Sequence, residues 1–268
     1  MVHDSVIYSA DPATSPSKSH LYRTVPAPRP ELTRGKVFDA PPVAPPPVAP
    51  PQRSGLAGEL GIVREPWRAM WRLPHLARPP RGDGRLTIVI PGWLAPERSM
   101  APIRSYLARA GHDARHWGLG TIRNDVEDAR DRFIERLDEL VDDRPAFLVG
   151  WSLGGVIARE TARSRPDLVE RVVTQGTPAV GGPTYTAGAG RLGADECRRI
   201  EQLQQALDAD QPIDRPITAI FTRNDGVVDW RACIDRASID VRHVEVRSTH
   251  VGLGIDPDVW QITAESLA

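Results

Sequence analysis

The sequence predicts an α/β fold: a mostly parallel sheet of about six strands, covered by helices on both faces, with a small lid-like insertion. Three observations lead there. From Gly84 onward, short apolar bursts rich in β-branched residues alternate with segments of helical periodicity, the pattern of strands buried on both faces. At one strand-to-helix junction a serine stands between glycines, as Gly150-Trp151-Ser152-Leu153-Gly154. The alternation breaks once, between Pro178 and Pro212, where a Gly-rich loop leads into an amphipathic helix.

Residues 1–52 come first and read as a disordered leader. Ten prolines fall between Val25 and Pro51, and such a run lacks amide donors and favours extended polyproline II. A ligand for a proline-recognising partner is the functional reading of this leader. Residues 53–83 form a second unit, an amphipathic helical segment. In Ile62–Leu73, Arg64, Arg68 and Arg72 line one face, and Val63, Trp67, Met70 and Trp71 line another. Such a helix packs on its own domain or makes peripheral contact with a membrane surface.

The third unit, 84–268, carries the sheet. Leu86–Ile90 is a β-branched burst, followed by the turn Pro91-Gly92-Trp93-Leu94 and a helix over Pro102–Ala110. Asp113–Trp117 is a weaker strand, and Asp125–Val141 a helix. Pro145–Val149 is the strand ahead of the serine, and Gly155–Arg163 the helix behind it, stopped before Pro166. Glu170–Gln175 is the next strand. The insertion 178–212 holds the loop Gly181–Gly193 and the helix Asp195–Ala209, and its place after a strand makes it a candidate lid or pocket wall. Strands at Ile217–Phe221 and Val241–Val246 complete the set.

The chemistry starts at Ser152. A serine on a sharp strand-to-helix turn presents its hydroxyl above the sheet, and the flanking glycines let the backbone turn without clashes. The helix N-terminus behind it favours developing negative charge. A hydroxyl is a weak nucleophile until a base takes its proton, and an acid must hold that base in one tautomer. His250, in the Gly-rich loop Ser248–Gly254 after the last strand, is the candidate base. Asp225, in a tight turn after Ile217–Phe221, is the candidate acid; Asp229 is its rival, though Asp229 suits the N-cap of the next helix. Backbone amides of Leu153 and Trp93 are the candidate oxyanion donors. Trp93, Leu94 and Trp151 are candidate substrate contacts, because large apolar side chains at the mouth suit an acyl chain.

These parts occur in the order oxyanion turn, Ser, Asp, His, each after an expected strand, which is the order of the α/β-hydrolase fold. On these residues the chain resembles the α/β-hydrolase superfamily. Val149–Arg159, Arg165–Leu168 and Thr174-Gln-Gly-Thr-Pro178 are similar to stretches of bacterial serine lipases and esterases. The resemblance covers roughly Arg81 to Ala268. It implies Ser152 as nucleophile, Asp225 as acid, His250 as base, and Trp93 with Leu153 as oxyanion donors, in agreement with the residue-level reading. Two departures stand out. The oxyanion turn reads Pro91-Gly92 where many relatives carry His-Gly, and the first strands of the full fold are not evident.

The expected activity is cleavage of carboxylic esters, lipid-like or otherwise apolar, through an acyl-enzyme on Ser152, with no metal or organic cofactor required. An acyltransferase or thioesterase would use the same triad. A non-catalytic adaptor acting through its Pro-rich leader is the reading from another class. A formal net charge of −1 gives no basic field for nucleic acid. No apolar run approaches the ~20 residues that span a bilayer. The first thirty residues show no secretory signal, so the expected location is cytoplasmic. Cys197 and Cys233 are a disulfide or two free thiols; Cys197 shares a helix face with Ile200, Leu203 and Leu207, as a small buried hydrophobe would.

Overall fold

The computed structural model describes residues 30–43, 46–47, 49–51, 80–123 and 126–268. Seven strands form one sheet: β1 (Lys36–Phe38), β2 (Leu86–Ile90), β3 (Asp113–His116), β4 (Ala146–Trp151), β5 (Val169–Gln175), β6 (Ile217–Phe221) and β7 (Val241–Glu245). Their spatial order is β1-β7-β6-β5-β4-β2-β3. All neighbours are parallel except β1, which runs antiparallel to β7. The helices are α1 (Ala101–Ala110), α2 (Val126–Leu140), α3 (Leu153–Ser164), the short α4 (Ala189–Leu192), α5 (Ala194–Asp210) and α6 (Pro257–Ser266). None among the described residues is long and apolar enough to cross a membrane.

Successive strand residues point to opposite faces, so the two cores can be read off alternate positions. Ile88, Leu148 and Val172 face one core with Phe133 and Leu137 of α2 and Ile157 of α3. Val89, Val149, Val173, Ile220 and Val244 face the other, with Leu107 of α1 and Trp260 and Ile262 of α6. Both faces being covered explains the continuous apolar runs of β2 and β6. Helix α6 is absent from the sequence reading. Nearly all its residues are buried, Gln261 and Glu265 included, because its polar side is turned to Thr33 and Arg34 rather than to solvent; its start is marked by the Asp256 cap and Pro257 at the first turn.

The leader needs correcting over its described part. Expected as disordered through residue 52, it instead contributes the seventh strand. Lys36 stands opposite Glu245 and Phe38 opposite His243. Thr33 N–H donates to the Glu265 carboxylate at 2.9 Å, and Arg34 donates to Asp258 at 2.7 Å and Gln261 at 2.9 Å. The Phe38 ring lies 6.4 Å from that of Phe221, and Pro42 and Pro47 are buried. A three-residue edge strand needs only one ladder, and β7 offers an otherwise open edge. The proline-rich composition around it hid that short signal. The domain therefore draws on residues well before 84. The remaining leader and the Ile62–Leu73 segment lie outside the described residues.

The insertion 178–212 is fastened to α3. Arg163 of α3 donates to the carbonyls of Leu207 (3.0 Å) and Gln211 at the end of α5, and to Asp208 (2.6 Å). Gln204 donates to Ala179 O at 2.7 Å, within buried surroundings. Beneath this, Arg159 of α3 and Asp235 form a buried ion pair. Burial alone would raise the Asp235 carboxyl, yet Arg159 and the Ser238 backbone amide hold it down to about 2. Cys197 and Cys233 are both buried free thiols.

Candidate active site

Ser152 closes β4 and opens α3 with φ 53° and ψ −120°, one of two non-glycine residues with positive φ among those described. A left-handed conformation is costly for a side-chain-bearing residue, so surrounding contacts must impose it. They are visible. Ser152 N–H donates to Gln175 O at 2.8 Å, while Ser152 O accepts from Gly155 N (3.0 Å) and Thr177 Oγ1 (3.0 Å). A Cβ on Gly150 would lie 2.4 Å from Gly155 N, and one on Gly154 would lie 2.4 Å from Pro91 O. Only bare backbone fits on either side of this serine.

His250 and Asp225 meet in the loops that follow β7 and β6. His250 Nδ1 lies 2.7 Å from Asp225 Oδ2, with both side chains almost fully buried. An ionised carboxylate only accepts, so Nδ1 carries the proton and Nε2 is left as the acceptor. The other carboxylate oxygen, Oδ1, accepts from Val227 N (2.9 Å) and Val228 N (2.7 Å), which fixes the plane of the acid. Asp229 is engaged elsewhere: it caps the short turn Trp230–Cys233, accepting from Arg231 N at 3.0 Å.

The turn after β2 lies against the serine, since a Cβ on Gly92 would stand 3.4 Å from Ser152 Cβ. Within it, Leu94 N–H donates to Ile122 O (2.9 Å) and Ala95 N–H to Gly92 O (3.2 Å), with Leu94 at φ 57°. Neither bond uses the Trp93 amide. The Trp93 side chain donates to Arg123 O at 2.8 Å, and Arg191 of α4 sits 5.3 Å over its ring. Trp93 and Leu94, in the turn that lies against the serine, are both exposed. Trp151 behaves differently: it is half-buried, and its indole N–H donates to the His250 carbonyl.

Two further residues lie at this site that the sequence reading gave no role, although the first, Gly176, falls within the quoted stretch Thr174–Pro178. Gly176, after β5, has φ +59°, and a Cβ there would lie 3.1 Å from His250 Nδ1 and 3.2 Å from Asp225 Oδ2. Thr222, fully buried, donates to Ser248 O at 2.8 Å and so ties the acid's turn to the base's loop. A glycine after a β-branched strand was the available signal for the first. The second had none, because a threonine ending a strand is ordinary.

A doubly covered, mostly parallel sheet with a serine at the strand-to-helix turn beside its centre defines an α/β hydrolase architecture. The family profile of the alpha/beta hydrolase fold matches residues 54–191, just over half of the 268 residues, and the chain belongs to that family. Solved structures with a similar fold include Bacillus licheniformis lipase BlEst2 in mature form, at 16% identity and TM-score 0.49, covering 66% of this chain and 89% of that one. The monoacylglycerol lipase of Paleococcus ferrophilus is 18% identical with TM-score 0.47, covering 64% and 88%. A thioesterase domain from the curacin biosynthetic pathway is 15% identical with TM-score 0.46, covering 69% and 92%. At such identities the likeness concerns the fold alone. No curated protein matches the chain.

Proposed function

We propose that the protein is a serine hydrolase that cleaves carboxylic esters through an acyl-enzyme on Ser152. The observation that carries the reading is the buried His250–Asp225 pair at 2.7 Å, tied through its backbone to the indole of Trp151, the residue next to a serine held at positive φ. In the first half-reaction His250 Nε2 takes the Ser152 proton as Oγ bonds to the acyl carbon. The carbonyl oxygen becomes an oxyanion, stabilised by the Trp93 and Leu153 amides; one such donor is typically worth about 3 kcal/mol in the transition state. The C–O bond to the alcohol then breaks, and the imidazolium returns its proton to the leaving oxygen. In the second, water gives its proton to His250, adds to the acyl carbon and releases the acid, and Ser152 recovers its proton. Asp225 keeps the imidazole in the productive tautomer throughout. The exposed apolar side chains of Trp93 and Leu94, in the turn against Ser152, support an apolar acyl substrate.

A fluorophosphonate probe tests this, together with p-nitrophenyl esters and thioesters of graded chain length. Wild type should be labelled on one serine and should turn over the oxyesters. Ser152→Ala should lose labelling and on the order of 10⁴-fold or more in kcat, with unchanged thermal unfolding. A folded Ser152→Ala protein within tenfold of wild type would overturn the assignment. Turnover of thioesters alone would redirect it to a thioesterase.

A further inference from the structure

We propose that Trp151, the residue before the serine, is a positioning residue that holds the candidate base in register with both the acid and the oxyanion turn; this rests on the serine-hydrolase reading above. Its contacts reach the base and the oxyanion turn, and the base in turn holds the acid. Indole Nε1–H donates to the backbone oxygen of His250 at 3.0 Å. The indole and imidazole rings stand 5.6 Å apart between centroids, tilted by 38°. On the oxyanion side, a Cβ on Gly92 would come within 3.1 Å of Trp151 Cε3 and 3.3 Å of Cζ3. Beyond the base, a Cβ on Gly254 would stand 3.9 Å from Trp151 Cδ2. The side chain springs from the last residue of β4, so its root is fixed by the ladder to Gln175 of β5.

The chemistry needs such a brace. His250 sits in the connection between β7 and α6, which is held by turn bonds such as Leu253 N to Thr249 O (3.0 Å) and Gly254 N to Val251 O (3.3 Å). A bond to its own carbonyl fixes the peptide plane at His250 and hence the direction in which the imidazole leaves the backbone. Asp225 then fixes rotation about the ring through Nδ1. Without the indole bond, fewer molecules hold Nε2 in line with the serine hydroxyl, and misalignment of this kind can cost up to about 10²-fold in rate. The same packing gives a reason for the bare Gly92: the indole edge already occupies the space a side chain would take.

A substrate-binding role for Trp151 would raise KM, whereas a positioning role lowers kcat and leaves KM in place. Two replacements separate the indole N–H from the ring. Trp151→Phe removes the donor and part of the ring; benzothienylalanine at the same position exchanges N–H for sulfur in an almost unchanged shape, and so remains informative if the phenylalanine variant fails to fold. Both should be labelled by the fluorophosphonate about tenfold more slowly, with kcat reduced in proportion and KM within about twofold. The downfield proton resonance of the His250–Asp225 pair should weaken in both variants and persist in Ser152→Ala. Labelling of the benzothienylalanine protein at the wild-type rate, or a raised KM at unchanged kcat, overturns the positioning role while leaving the serine-hydrolase reading intact. An unlabelled wild type overturns that reading itself, and the positioning role with it.

Discussion

At the scale of single residues, the candidate site is built as much from missing side chains as from present ones. Gly92, Gly150, Gly154 and Gly176 each occupy a place where a Cβ would meet backbone or a neighbouring side chain. Gly176 makes the sharpest case. A Cβ there would lie 2.8 Å from Leu253 Cδ1 as well as beside both members of the His–Asp pair, and its φ of +59° is one that other residues rarely adopt. Gly176→Ala should therefore cost about 1–2 kcal/mol from the backbone conformation alone. Its effect on ester turnover should be larger than stability explains, at least about tenfold, because the methyl group pushes on the aligned pair. Kinetics on the folded variant, set beside its unfolding midpoint, check this; turnover within twofold of wild type would show that the pair has room to spare.

At the scale of elements, the decisive feature is the short strand β1. It covers an edge of β7 that would otherwise present unpaired backbone, and the residues just before it bond to α6, including the buried Glu265. Removing residues 1–39 would strip that ladder and leave Glu265 without its Thr33 partners. Glu265 keeps Gln261 Nε2 as a donor, and losing a hydrogen bond to a charged group costs about 1.5–3 kcal/mol. The truncated protein should unfold at least about 5 °C below the full chain in a calorimetric or circular-dichroism melt, since about 2 kcal/mol corresponds to a shift of that size. Equal midpoints would mean that β1 adds nothing to the fold. Helix α5 stands in contrast to this light attachment: Arg163 caps its last carbonyls and pairs with Asp208, so its C-terminal end is fastened to the same helix that follows Ser152.

The whole molecule carries an acid liability in its core. His243 on β7 is fully buried, and neither ring nitrogen has a hydrogen-bond partner among the described residues. Burial pushes its pKa down to about 4; Asp235 works against that shift, while Arg236 and Arg159 add to it. An unfolded histidine titrates near ~6.5. Between those values the unfolded chain binds a proton that the fold excludes, so stability is full above about pH 6.5 and falls as pH drops toward 4. The whole window is worth about 3 kcal/mol. Asp235 acts in a separate range: held down to about 2, it contributes stability above its ordinary 3.8 that is lost only below it. Urea unfolding at pH 7 and pH 4.5 should show the loss, and His243→Leu should flatten it. An unchanged slope in that variant would assign the acid sensitivity to other groups.

The alternation of strands and helices, the serine turn and the order of the candidate chemical groups were all legible in the chain. Each of these is written locally, in β-branched bursts, in glycines around a strand-to-helix junction, and in turn residues at strand ends. The tertiary structure alone decided where those groups converge. Asp225 and His250 are separated by a helical turn and a strand, and only the parallel pairing of β6 with β7 brings their loops to one end of the sheet. Trp151 reads as an apolar neighbour of the serine, yet its hydrogen-bond partner lies 99 residues away. The same holds for β1, whose three residues gain order from the exposed edge of β7 rather than from their own pattern, and for α6, whose polar residues Gln261 and Glu265 are buried against Thr33 and Arg34. Local patterns record what a segment must satisfy within itself; an edge, a brace or a buried helix is defined by what the rest of the chain leaves open.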